Sequence, residues 1–333
     1  MNIYFAPLEG ITGYIYRQMY DKYYGHGKIS KYFIPFISPT QHAEFTTKEK
    51  KDILMENNEN LYAVPQILCN RAEYFLQTAH MLCDMGYREV NLNVGCPSKT
   101  VVAKRKGVGM MRDMQELDEF FRQVYTDSLF AEGQMKFSVK TRIGLNSIEE
   151  AQELIAVYNQ YALDELIIHP RLQNEYYKGV PHRDVFAQML LQSKNPVCYN
   201  GDIFTMTDIE EFQRDFPEID TVMLGRGLLA NPALIDECIQ NTRRELTRDD
   251  IQKMKAFHDA LCAAYTKEMD GDTNVLHKMK ELWFYMEKTF TGADKLYKAI
   301  RKTRTLSDYQ VAVNQFFAFA PVRTAEHIYF DKK

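Results

Sequence analysis

Cys96 lies between a glycine and a proline in Val90-Asn91-Leu92-Asn93-Val94-Gly95-Cys96-Pro97-Ser98-Lys99. A free cysteine is most often a small buried hydrophobe. A thiol on a turn beside asparagines is also placed to give or lose a proton. Lys140 stands among Phe137, Val139 and Thr141. A lysine in such company meets an anion or polar ligand, or else lies on a solvated rim. His169, in His169-Pro170-Arg171, can move a proton or simply be a hydrogen-bonded core residue. Asn200-Gly201-Asp202 and Gly225-Arg226-Gly227 bring glycine amides next to charge, which suits phosphate oxygens. Each of these two triplets alone also reads as a tight turn.

The elements that must position these residues follow from periodicity. Asn91 and Asn93 alternate with Val90, Leu92 and Val94, the period of a strand that Gly95 and Pro97 then stop. Further short apolar runs predict strands at Ile3–Leu8, Tyr32–Ile37, Tyr62–Leu68, Lys136–Ile143, Glu165–Pro170, Pro196–Tyr199 and Thr221–Leu224. With Glu89–Gly95 these make eight strands. Apolar residues at helical spacing mark Ala72–Met85 and Ile148–Tyr161, the latter started by Asn146-Ser147. Eight strands alternating with helices predict an α/β fold, a (β/α)8 TIM barrel over residues 1–240. An open doubly wound sheet is the rival, but no G-x-G-x-x-G turn follows the first strand. Beyond Asn241 the strand signal fades. Asp250–Glu268, Leu276–Met286, the stretch around Leu296–Ile300 and Ser307–Phe319 predict a small all-helical C-terminal domain, 241–333.

In such a barrel the site lies at the C-terminal ends of the strands. The candidates all fall there: Pro7 and Leu8 after the first strand, Gln66 on the third, Asn93 and Cys96 on the fourth, Lys140 and Arg142 on the fifth. His169 ends the sixth, and the two glycine triplets follow the seventh and eighth, where barrels often hold phosphate. Lysine, histidine, glutamine and a phosphate cradle in one mouth suit a flavin mononucleotide, with Lys140 facing the electron-rich edge of the ring.

Composition sets bounds. The 333 residues are 45% hydrophobic and 26% charged, ordinary for a soluble globular protein. No apolar run is long enough to span a bilayer, and no signal peptide is expected. Six cysteines, at 69, 83, 96, 198, 238 and 262, form no C-x-x-C pair, so neither a metal site nor a disulfide framework is expected and the compartment reads as cytoplasmic. Residues 1–240 carry 24 Lys+Arg against 32 Asp+Glu, and residues 241–333 carry 17 against 13. A basic tail on an acidic body can grip a polyanion, or present only a solvated helix face.

The motifs together resemble the tRNA-dihydrouridine synthases over nearly the whole chain. The resemblance rests on Ala6-Pro7-Leu8-Glu9-Gly10-Ile11-Thr12, the Cys96 motif with Gly107-Val108-Gly109 after it, Val139-Lys140-Thr141-Arg142-Ile143-Gly144, Tyr199-Asn200-Gly201-Asp202-Ile203 and Met223-Leu224-Gly225-Arg226-Gly227. It implies an oxidoreductase that reduces the C5–C6 bond of uridine in tRNA, with FMN in the barrel mouth and NADPH as reductant. By position, Pro7 and Leu8 would back the flavin ring. Gln66, Lys140 and His169 would contact it. Asn200, Gly201, Asp202, Gly225 and Arg226 would line its phosphate end. Asn93 and Arg142 would hold the uracil. Cys96 would be the general acid that protonates C5, a thiol kept protonated rather than an activated thiolate. The base must leave its stack to reach such a mouth. Lys99, Lys104, Arg105 and Lys106, and the eight Lys+Arg of His277–Arg304 interleaved with Trp283, Phe284, Tyr285 and Tyr297, would face the RNA of a monomeric enzyme, while an apolar core explains many of those aromatics equally well. Three features depart from the family pattern: Leu8-Glu9 after Pro7, Pro170 after His169, and Pro181-His182-Arg183-Asp184 without a tryptophan. They bear on the target uridine more than on the reaction. A small-molecule FMN enzyme resembling dihydroorotate dehydrogenase leaves the basic tail unexplained. An RNA-binding protein without catalysis leaves Cys96, Lys140 and His169 unexplained.

Overall fold

A computed structural model describes residues 1–41 and 44–323; residues 324–333 of the predicted tail domain lie outside the described residues. Eight parallel strands close into one barrel in sequence order. They are β1 (Asn2–Phe5), β2 (Lys31–Ile37), β3 (Ala63–Ile67), β4 (Glu89–Val94), β5 (Lys136–Gly144), β6 (Glu165–Leu172), β7 (Val197–Tyr199) and β8 (Thr221–Leu224). The ring closes where Asn2, Ile3, Tyr4 and Phe5 of β1 pair with Thr221, Val222, Met223 and Leu224 of β8. All eight predicted strands are present, and their ends shift for local reasons. β1 stops before Pro7, which has no N–H to give, and the Leu8 N–H goes instead to Thr12 Oγ1 at 2.8 Å.

Alternation along the strands sorts the side chains into two cores. Val90, Leu92 and Val94 face outward into the large core under the helices. Tyr4, Ala6, Phe33, Val64, Ile167, Cys198 and Met223 form a separate small core inside the barrel. Glu89, Asn91 and Asn93 share this inner side of β4, hydrogen-bonded to side chains of β3 and β5. The asparagine–aliphatic alternation seen in sequence is thus an inside–outside alternation.

The helix expected over Ile148–Tyr161 runs only Glu150–Tyr158. The Glu150 carboxylate accepts the N–H groups of Leu145, Asn146 and Ser147, which holds the preceding turn out of the helix. After Gln240 come helices Arg248–Glu268, Asp272–Met286, Asp294–Lys302 and Leu306–Phe319. Thr247 starts the first of these with a reciprocal capping pair to Asp250. This helix docks on the barrel through Phe257, whose ring lies 5.5 to 6.3 Å from the rings of Tyr16, Tyr20, Tyr23 and Tyr24. Trp283 is fully buried and donates to Tyr309 Oη at 2.8 Å, so of the two readings open for the tail aromatics it takes that of a core residue. Phe284 remains half exposed.

Candidate active site

The turn bearing Cys96 is held from four directions. Asn93 Oδ1 accepts the N–H of Gly95 (3.0 Å) and of Cys96 (2.8 Å), which folds the chain back at the end of β4. Arg142 Nε donates to the Gly95 carbonyl at 3.1 Å, and Gln173 Nε2 to the Pro97 carbonyl at 3.0 Å. The loop after helix Lys99–Val102 closes the fourth side. A Cβ on Gly107 would come within 2.8 Å of the Cys96 carbonyl oxygen and 2.9 Å of its Cβ, and the backbone there has φ +56. This contact gives the Gly107-Val108-Gly109 motif its structural meaning. Burial pushes the Cys96 thiol up from its ordinary range, against the pull of a Ser98 backbone hydrogen bond and of Arg142 and Lys140. At neutral pH it is a thiol, the form a general acid needs.

Two cavities meet in the barrel mouth. One is lined by Asn200, Gly201, Asp202, Gly225 and Arg226; the other, of about 300 Å³, by Gln66, Asn93, Cys96 and Arg142. Pro7, Leu8, Lys140 and His169 border both. Every residue expected from sequence therefore reaches one of the two, although they come from seven strand ends.

The Lys140 ammonium makes no hydrogen bond or ion pair among the described residues. Desolvation, helped by Arg142, brings its ammonium down to about 8. Burial and the surrounding Arg142, Lys140, Arg171 and Arg226 hold His169 well below its usual range, so it is neutral at pH 7. Asp202 does not offer a bare carboxylate to a ligand: its two oxygens are taken by the guanidinium groups of Arg171 and Arg226. Its work is to aim Arg226. Arg142 is almost fully buried and spends three of its five N–H groups on the carbonyls of Gly95, Leu172 (2.6 Å) and Tyr176 (2.7 Å). It braces the mouth loops as well as lining the second cavity. Gly225 keeps the wall thin: a Cβ there would sit 3.2 Å from Ala6 Cβ and 3.5 Å from Leu8 Cδ1.

Some site residues escape the sequence reading. The Tyr177 ring borders both cavities, with the Arg226 guanidinium 4.2 Å from its centroid and the His169 ring at 6.0 Å. The only sequence signal for it is the Tyr177-Lys178-Gly179 spacing. Glu281 and Tyr285 reach the second cavity from the tail helix Asp272–Met286, a meeting no local pattern encodes.

A family model described as Dihydrouridine synthase (Dus) matches residues 4–319. The chain belongs to the dihydrouridine synthase family. It is 25% identical over 321 residues to the tRNA-dihydrouridine(16) synthase of Shigella flexneri, covering 94% of this chain and 98% of that one. It is 23% identical over 320 residues to the probable tRNA-dihydrouridine synthase of Staphylococcus aureus, covering 94% of this chain and 92% of that one. Among solved structures, morphinone reductase superposes on 75% of this chain and 88% of its own with a TM-score of 0.50 and 12% identity. That likeness is one of fold. Among the described residues no helix is long and apolar enough to cross a membrane, and no cluster of three or more His, Cys, Asp or Glu could hold a metal ion.

Proposed function

We propose that the protein reduces a uridine of tRNA to 5,6-dihydrouridine, with FMN in the barrel mouth and NADPH as the source of electrons. The observation that carries this reading is the junction of the two cavities at Pro7, Leu8, Lys140 and His169, with the Cys96 thiol on one side and Arg226 on the other. A ring laid across the junction has a cation ready for its electron-rich edge and a protonated thiol beside any second ring stacked on it. Bound FMN supplies hydride chemistry. Lys140 stabilises negative charge at the flavin edge. Gly201, Gly225 and Arg226 receive the phosphate end, with Arg226 steadied by Asp202 and the Tyr177 ring. Asn93 and Arg142 border the uracil, and Cys96 delivers the proton to C5. The barrel (1–240) carries the chemistry and the C-terminal region (241–333) grips the RNA, as a monomer in the cytoplasm.

The purified protein should be yellow and release FMN on denaturation. Cys96→Ala should keep the flavin and lose roughly 10²–10⁴-fold in uridine reduction, the range for a removed general acid. A colourless protein with no affinity for FMN would sink the reading.

A further inference from the structure

The barrel interior holds a row of polar side chains of which the proposed reaction uses only the upper end. The row starts at the Cys96 turn, whose N–H donates to Asn93 Oδ1. Asn93 Nδ2 donates to Gln66 Oε1 at 2.7 Å, and Gln66 Nε2 to Asn91 Oδ1 at 2.7 Å. Asn91 Nδ2 donates to Ser138 Oγ at 3.0 Å, and Ser138 Oγ to Glu89 Oε1 at 3.2 Å. Glu89 sits at the barrel floor in an ion pair with Lys31 at 2.9 Å, and its other oxygen accepts from Tyr62 Oη at 3.1 Å. All five side chains of the row are buried.

Every link donates toward the floor. A primary amide can present either end, and only its neighbours decide which. A carboxylate can only accept, so Ser138 donates to Glu89, with the Val90 carbonyl at 3.4 Å as its second acceptor, and accepts from Asn91. That turns the Asn91 oxygen to Gln66 and the Gln66 oxygen to Asn93, the same direction that the Gly95 and Cys96 N–H groups impose on the Asn93 oxygen from the other end. Aligned bonds also polarise one another in a dry interior. Each amide nitrogen at the top keeps one further N–H, and Gln66 and Asn93 both line the cavity that holds Cys96. The mouth thus offers donors, matched to ring carbonyl oxygens.

We propose that Glu89, at the opposite end of the barrel, is a positioning residue for this site: through Ser138 and Asn91 it holds from the floor the amide direction that the Gly95 and Cys96 N–H groups set from the mouth. The proposal rests on the dihydrouridine synthase reading for its ligand and on the hydrogen-bond row for its mechanism.

The test compares Glu89→Gln and Ser138→Ala with Tyr62→Phe, each in the full-length flavin-loaded protein. Glutamine can donate as well as accept, and alanine cuts the row while leaving the carboxylate. Tyr62→Phe removes a bond to Glu89 outside the row. Both row variants should shift the visible band of the bound flavin and lower kcat by about tenfold while the KM for tRNA stays within about twofold, a loss confined to the chemical step. Their double variant should be no worse than either alone, and Tyr62→Phe should match the parent. If Glu89→Gln does not fold, Ser138→Ala decides. A lower melting temperature with unchanged spectrum and kcat overturns the proposal, as does Tyr62→Phe behaving like Glu89→Gln. If the parent protein binds no flavin, the functional reading falls. The row is then judged by the alkylation rate of Cys96 in flavin-free protein, which the two row variants should change and Tyr62→Phe should not; equal rates in all four overturn it.

Discussion

Lys140 is held in the mouth without a counter-ion, and burial lowers its ammonium to about 8. A free lysine stays charged to about 10.4. Between those values the unfolded chain binds the extra proton, so stability contributed by this group rises with pH. Below pH 8 both states are charged and the desolvation penalty is present in full. Lys140→Met should therefore raise the melting temperature of flavin-free protein at pH 7, with the gain fading as pH passes through 8 toward 10. The same substitution should weaken FMN binding at pH 7 and remove its decline above pH 8. Calorimetry and flavin titration across pH 6–10 measure both. A lysine that is neither destabilising without flavin nor needed with it would show Lys140 to be a solvated rim residue. Asp202 shows what the residue scale hides from sequence. A carboxylate beside a phosphate cradle reads as a ligand contact; the partners Arg171 and Arg226 that also bind it come from β6 and the turn after β8, out of reach of any local pattern.

Elements were legible where one face dictates the pattern. Each barrel strand buries one face in the helix layer and one in the interior, so short apolar runs marked all eight, and the polar inward face of β4 showed as alternating asparagines. Strand and helix ends were less legible because they depend on single bonds, such as Thr12 with Leu8 or Glu150 with its preceding loop. Tail aromatics divide between their two readings for a related reason. Trp283 and Tyr285 lie two residues apart on one helix, so they face different ways: one into the tail core, the other toward the mouth. The docking of Phe257 among barrel tyrosines also bears on how the two parts can be separated. Cutting the chain near Asn241 would strip Tyr16, Tyr20 and Tyr24 of their cover. Phe257→Ala is the gentler probe and should cost about 3–5 kcal/mol as a large-to-small core change. Urea unfolding followed by far-ultraviolet dichroism and by flavin fluorescence should give one coincident transition in the parent protein. Two separated transitions there would mean that the tail and barrel unfold independently.

At the scale of the whole molecule, charge is divided between parts. The acidic body carries the mouth, and the basic residues collect in the tail and in the Lys99–Lys106 loop that follows Cys96 in sequence. Helix Asp294–Lys302 places Lys295, Lys298 and Lys302 on its exposed face at spacings of three and four. Tyr285, by contrast, lines the cavity with Cys96. These two groups should fail in different ways. Phosphate contacts release counter-ions, so log affinity falls with log salt by about 0.7–0.9 per contact. Replacing all three lysines by alanine should reduce that slope by about 2 to 3 and weaken tRNA binding, while kcat at saturating tRNA stays near the parent value. Tyr285→Ala should leave the slope alone and lower kcat, because it lines the cavity proposed for the base and not a phosphate track. Binding measured at 50 to 200 mM salt, alongside turnover at saturating tRNA, separates the two. A triple variant with an unchanged slope would place the RNA track elsewhere, and the Lys99, Lys104 and Arg105 loop would be the next surface to vary.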